Sequence, residues 1–401
     1  MLSRVFAAFK YREFRLMWLG ACTSTIGTWM QKAAQSWLVL ELSQSKFLLG
    51  LDSFLGEIPI LLFSLFGGVA SDRLDRRKLL IASQIGQMAT ALILAVLFAT
   101  GTVKVEYILI LSFFTGCVQA FGGPAYQAIL PMMVPKAEVQ NAIAMNSIQF
   151  NLARVIGPML GGWALLSLGP AWCFSLNGLS FLAVIFALMA MTPKRGGGKH
   201  GESVIASIRR GIDFVSERPG MVPLIALAFF MTFLGFPMMV FLPVMVKDVF
   251  GGGASGYTHM LTVSGAGSVV GGLVVAGLSH SEKKGRYALL SLIALGTLIV
   301  AFSQSRILML SYAILFCASG ALIGTFSMIA SLVQHEATDE MRGRVMSLYN
   351  VAFRGGGPIG SLLCGQLIEF SSAPIVLSGC GILLVLMGLW FLVIQRRIPQ
   401  L

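Results

Sequence analysis

Between two long apolar runs, residues 68–78 pack six charged side chains into one turn: Asp72, Arg73, Asp75, Arg76, Arg77 and Lys78. No bilayer interior can hold such a turn, because each charge at depth costs roughly 2.5–3.5 kcal/mol on insertion scales. It therefore lies at a membrane surface. Its excess of Arg and Lys places it on the cytoplasmic side.

Composition agrees with two apolar runs being only part of a larger set. The chain is 56% hydrophobic and 11% charged, with a mean hydropathy of +0.82, whereas a soluble chain must cover its surface with charge. A spanning helix needs roughly 20 mostly apolar residues. Twelve such segments are predicted, at 14–40, 48–70, 79–100, 106–130, 139–168 and 172–192, then 221–246, 257–279, 287–304, 307–333, 345–369 and 373–394. The fold class is an all-α membrane protein of twelve transmembrane helices in two six-helix pseudo-symmetric bundles.

Orientation follows from the 29 Lys and Arg residues. With the N-terminus inside, 22 fall in cytoplasmic segments and four in outer loops (Lys46, Lys104, Lys247, Arg306), while Lys32, Arg154 and Arg354 lie within helices. Both termini are thus expected in the cytoplasm, in the plasma (inner) membrane of a bacterial-type cell. The net charge of +12 is accounted for by these loops, so no nucleic-acid partner is expected. Residues 1–11 lack a cleavable signal pattern, and the first helix is expected to direct insertion. The six cysteines sit in apolar segments without a C-x-x-C pair, and read as small buried hydrophobes.

Residues 193–220 form the one long linker, with a Gly196-Gly197-Gly198 joint and a possible surface helix at 203–216 carrying Arg209 and Arg210 on its polar side. This sets domains at 1–192, 193–220 and 221–401. The two halves echo each other. Arg154-Val-Ile-Gly157-Pro158 recurs as Arg354-Gly-Gly-Gly357-Pro358, 200 residues on, and Gly68 with Arg77 is echoed more weakly by Gly277 with Arg286. Two six-helix repeats joined by a long cytoplasmic linker is transporter architecture.

At this point the sequence resembles the major facilitator superfamily. Gly68, Asp72, Arg73, Arg76 and Arg77 match its loop 2–3 signature G-x-L-A-D-R-x-G-R-R/K, with Asp75 where the family has glycine. The D-R-x-D-R-R form, Gly27-Thr-Trp29-Met-Gln31 and Trp37-Leu-Val-Leu40 resemble the enterobactin exporter-like and macrolide efflux-like subgroup, the transmembrane secretion effectors. The resemblance implies a conformational latch in which Asp72 meets the N-terminus of helix 11, clamped by Arg73 and Arg76; the plainer alternative is an anchor to lipid headgroups. It also implies a monomer that exports hydrophobic or amphipathic molecules such as drugs, macrolides or siderophores. Gly157, Pro158, Gly161 and Gly162 resemble the helix 5 motif of superfamily antiporters, with Ala153 at its first glycine position. Small residues four apart permit close helix packing, and Pro158 gives a hinge. The arginine that drug–proton antiporters carry in helix 4 is missing: residues 107–130 hold only Gln119, Tyr126 and Gln127 as sizeable polar groups.

The charges inside the bilayer are the candidate machinery. Glu57 lies 11 residues past Lys46, about 16 Å deep, with Asp52 roughly 9 Å deep and Lys32 about 25 Å from the cytoplasmic end. Such residues face a cavity or a partner. Glu57, and secondarily Asp52, are the candidate proton carriers, with Lys32 pairing with one of them and Arg154 and Arg354 as further cavity charges. The alternative is a static pair that fixes packing. Polar candidates for substrate contact are Gln31, Gln35, Gln119, Tyr126, Asn146 and Asn151, and Phe353 joins Trp29 and Phe150 among aromatics able to stack on a ligand. A mostly apolar cavity with dispersed amides suits a bulky amphipathic molecule.

Enzyme chemistry is not indicated. P-loop, G-x-S-x-G and H-E-x-x-H patterns are missing, and His200, His259, His280 and His335 are scattered. No catalytic residue, cofactor or metal is expected. The partners expected are a small-molecule substrate, protons and membrane lipids. An importer, a lipid flippase or a non-transporting receptor on the same fold are the alternatives.

Overall fold

The computed structural model describes residues 6–191, 204–277, 283–338, 340–395 and 398. The glycine joint at 196–198, the N-terminal five residues, Pro193 to Lys199, His200, His280 and Arg396–Arg397 lie outside them. The long segments are α1 (Arg12–Ser43), α2 (Lys46–Arg73), α3 (Arg76–Ala99), α4 (Val105–Ile129), α5 (Val139–Ser167) and α6 (Pro170–Met189). They continue as α7 (Met221–Val249), α8 (Ala254–Gly277), α9 (Lys284–Gln304), α10 (Leu308–Glu336), α11 (Arg342–Phe370) and α12 (Ala373–Trp390).

Among the described residues, nine of these segments are long and apolar enough to cross a membrane on length and composition alone. The other three, α1, α5 and α11, are long enough at 32, 29 and 29 residues. Their mean hydropathy is lowered by the residues of interest, Lys32, Arg154 and Arg354 with their neighbouring amides. Polarity at membrane depth is tolerated on helices that turn it toward protein or a cavity. The chain is a multi-pass membrane protein.

Two compact units form, Met1–Ser43 with Leu55–Gly201, and Gln44–Phe54 with Glu202–Leu401. The unit boundary therefore falls inside α2, whose first turns belong with the second unit. In unit 1, α1 packs on α5 and α6, and α3 on α4 and α6; in unit 2, α7 packs on α11, and α9 on α10 and α12. The α1–α5 pairing corresponds to α7–α11, and α3–α6 to α9–α12, as expected of a duplicated six-helix unit. A buried cluster around Phe14, Met17, Leu80, Ile129, Met133 and Leu188 holds one end of unit 1 together.

The repeat is one residue out of register in its close glycine contacts. On α5 it is Gly161 that receives α1, where a Cβ would come within 2.8 Å of the Met30 carbonyl oxygen. On α11 it is Gly360, where a Cβ would run into the Phe233 carbonyl of α7. Measured from the arginines, the first contact is seven residues on and the second six.

The predicted seventh helix departs from a continuous rod. It breaks at Phe236–Phe241 into short turns and ends in a π-helical stretch, Met245–Val249. Pro237 and Pro243 each remove a backbone donor, which is sufficient cause. The linker helix forms at Val204–Ser216. Rather than standing free at a surface it packs on α11, with Gly211 against Arg344 and Leu348, and Arg209 and Arg210 exposed. Arg218 then donates to the Glu336 carbonyl at 2.6 Å.

The cysteines only partly match the expectation. Cys173, Cys364 and Cys380 are buried, Cys22 and Cys117 half-buried, and Cys317 exposed. An apolar helix that faces lipid has no reason to bury a small residue on that side. Cys364 and Cys380 are thiol neighbours, their sulfurs 3.6 Å apart, a proximity that the 16-residue spacing across a helical hairpin hides from the sequence.

Candidate functional site

Close approach of α5 to α1 builds the polar centre of unit 1. Gly157 and Gly161 lie on the α5 face that meets α1, where a Cβ on Gly157 would crowd Ile26, Trp29 and Met30. One turn earlier on that face stand Arg154 and, four residues before it, Phe150. On α1, Trp29 and Lys32 are three residues apart and so neighbours on one face.

The result is a small group of charges around one indole. The Arg154 guanidinium carbon lies 5.7 Å from the Trp29 ring centroid, and Lys32 Nζ lies at the same distance. Both are within reach of a cation–π attraction. Phe150 meets Trp29 edge-on, with centroids 6.0 Å apart. Lys32 Nζ donates to Glu57 Oε1 of α2 at 2.8 Å. Of the two carboxylates offered as partners for Lys32, Glu57 is the one it bonds. Asp52 is buried, in the part of α2 that belongs to unit 2.

An amide relay runs beside this group. Asn177 of α6 donates to Gln31 at 2.6 Å, Gln31 lies 3.4 Å from the Gln35 oxygen, and Gln35 donates to the Ser112 hydroxyl of α4 at 2.8 Å. The predicted candidates Gln31 and Gln35 are therefore brought together. Tyr126 donates to Asn146 at 2.6 Å and forms a second pair. Asn151 is turned to its own helix, bonding the Ser147 carbonyl, and Gln119 makes no hydrogen bond among the described residues. Phe353 belongs to unit 2, stacked 4.3 Å from Phe326 and beside Tyr349. Arg354 is exposed on α11.

The charged turn is tightly organised within unit 1. Arg76 bonds the Ser71 carbonyl at 3.1 Å and pairs with Asp72 at 3.4 Å. Arg77 donates to the Met189 carbonyl at the end of α6, at 2.9 Å. Asp75, where the family has glycine, caps α3 by accepting from the backbone N–H of Arg77 and Lys78; carboxylates there satisfy donors the helix leaves open. Arg73 is exposed. Gly68 has open space where a Cβ would stand, whereas Gly67 lies against the Ala120 carbonyl of α4. The packing glycine is thus the one that the signature does not name.

Three residues escaped sequence reasoning. Ser112 carries no signal of its own within an apolar run. Glu369, at the end of α11, accepts from the backbone N–H of Lys46 and Phe47 at 2.7 and 3.1 Å, capping α2. Asp248 pairs with Lys46 at 3.6 Å. Lys46, Asp248, Arg306 and Glu369 line a cavity of about 380 Å³. Glu369 and Asp248 could have been sought as anions near the loop cations Lys46 and Arg306.

Comparison with known proteins agrees across the full chain. The family model described as transmembrane secretion effector matches residues 3–401. The staphyloferrin A transporter of Staphylococcus aureus is 24% identical over 381 residues, covering 93% of this chain and 94% of that protein. The multidrug efflux pump Tap of Mycolicibacterium fortuitum is 25% identical over 389 residues, 93% of each. Among solved structures, a bacterial homologue of the human lysosomal transporter Spinster, inward-facing and occupied, superposes with a TM-score of 0.71 at 14% identity over 96% of both chains. The chain is a membrane transporter, not an enzyme, and belongs to the transmembrane secretion effector family of the major facilitator superfamily.

Proposed function

We propose that the chain is a proton-coupled exporter of hydrophobic or amphipathic small molecules in the inner membrane, acting as a monomer with both termini cytoplasmic. Residues 1–192 and 221–401 alternate access to a central site. The observation that carries the reading is the 2.8 Å pair of Lys32 and Glu57 at membrane depth, beside Trp29 and Arg154. A carboxylate that is paired in one state and wetted or desolvated in another loads and releases a proton as the cycle turns. Asp52 is the second proton carrier. Efflux by a relative such as Tap supports the outward direction, and the 22-to-four cation asymmetry supports the topology.

The Asp72–Arg76 turn serves as a latch at the cytoplasmic ends of the helices, contacting lipid headgroups as well. The test is uptake of drugs, macrolides and siderophores into inverted vesicles under an imposed proton gradient. Uncoupler-sensitive accumulation that is lost in Glu57→Gln at normal expression is expected. Accumulation only into right-side-out vesicles would make the chain an importer, and transport untouched by Glu57→Gln would remove the proton carrier.

A further inference from the structure

Arg154 is the odd member of the central group. Lys32 has Glu57, but Arg154 makes no hydrogen bond and no ion pair among the described residues; its recorded contact is the face of Trp29. Its nitrogens have no partner among the described residues, and the side chain as a whole is half-buried. A guanidinium offers five donors in a rigid fork that matches a carboxylate in two parallel bonds. Left without an acceptor at membrane depth it is costly. Of the three charges around Trp29, two are positive and one negative.

We infer that Arg154, Lys32 and Trp29 form the seat for the anionic group of an amphipathic carboxylate substrate, with Glu57 as the resident carboxylate that the substrate displaces from Lys32. Arg154 takes the incoming carboxylate, and Lys32 is released to it from Glu57. The Trp29–Phe150 edge-to-face pair supplies an aromatic wall for the apolar body. Exposure fits this use: the Lys32 side chain is 51% accessible and Phe150 is 49% exposed, so both can be reached. A purely structural arginine on this face would be expected to carry an acceptor, and a group with one surplus positive charge disfavours a cationic ligand. This rests on the transporter reading and narrows its substrate class.

The test compares two probes with one apolar body and opposite charge, 2-naphthoate and 2-naphthylmethylammonium, by equilibrium dialysis against the purified full-length chain in detergent. Saturable binding of the naphthoate, at least tenfold tighter than the ammonium, is expected. Arg154→Gln weakens naphthoate at least tenfold, and Arg154→Lys weakens it less. Glu57→Gln, by removing the competing carboxylate, tightens it severalfold, an effect that loss of a merely structural pair would not produce. That gain also stands as the test if Arg154→Gln fails to fold. Equal or tighter ammonium binding, unchanged binding in Arg154→Gln, or weaker binding in Glu57→Gln would each overturn the assignment. Failure of the exporter reading is separate: naphthoate binding without gradient-driven accumulation in inverted vesicles sinks export and keeps the anion seat, while accumulation of cations without naphthoate binding does the reverse.

Discussion

Lys32 on α1 and Glu57 on α2 are joined at 2.8 Å, yet their side chains keep 51% and 34% of their accessibility. An ion pair that open is weak as scaffold. Exposed pairs are worth roughly 0–1 kcal/mol, so Glu57→Gln and Lys32→Gln should each change unfolding stability in mixed micelles by less than about 1 kcal/mol. Gradient-driven transport should nonetheless be lost in both. A large drop in stability would show the pair to be structural.

Glu369 presents the opposite case. Its carboxylate accepts from two backbone donors at the start of α2 and lies 3.3 Å from the Ser45 hydroxyl. Removing a helix N-terminal acceptor costs about 1 kcal/mol. Glu369→Ala should therefore lower thermal stability measurably, with Glu369→Gln intermediate. An unchanged melting temperature in Glu369→Ala would mean that solvent replaces the cap.

The adjacent glycines of α2 separate packing from signature. Gly68→Ala enters open space and should be tolerated, whereas Gly67→Ala meets the Ala120 carbonyl and Gly360→Ala meets that of Phe233. Forcing a methyl into a closed interface costs typically 1–3 kcal/mol. The yield of monodisperse protein should fall for Gly67→Ala and Gly360→Ala alone. Equal yields for Gly67→Ala and Gly68→Ala would contradict the observed packing.

Asp75 replaces the family's glycine and caps α3. Asp75→Gly should cost only a few tenths of a kcal/mol, and Asp75→Ala about 1 kcal/mol. Differential scanning fluorimetry of the two variants orders them; Ala at or above Gly in stability would show that the side-chain bonds to Arg77 and Lys78 contribute nothing.

Much of the site was legible as residue types but not as partners. Lys32, Glu57 and Arg154 stand out because charge is rare in apolar segments, and their cost at depth marks them wherever they fold. Their pairing was open, since Asp52 and Glu57 are five residues apart on one helix and both within reach of α1 by length alone. The signature names Gly68, but helix rotation decides which of two adjacent glycines faces α4, and it is Gly67.

Hydropathy, cation distribution and the repeat at 154 and 354 determined the membrane class and the segment order, and the motif from Gly68 to Arg77 carried the resemblance to the family. Those properties depend on transfer of each segment between water and lipid, which is additive along the chain. The tertiary structure alone decided that Lys32 bonds Glu57, that Arg154 lies over Trp29 without an acceptor among the described residues, and that Glu369 caps α2 from more than 300 residues away. Each depends on the rotation and axial offset of packed helices. Offsets of a single residue, such as that between Gly161 and Gly360, turn a side chain by about 100° at 3.6 residues per turn, and no one-dimensional pattern records that angle.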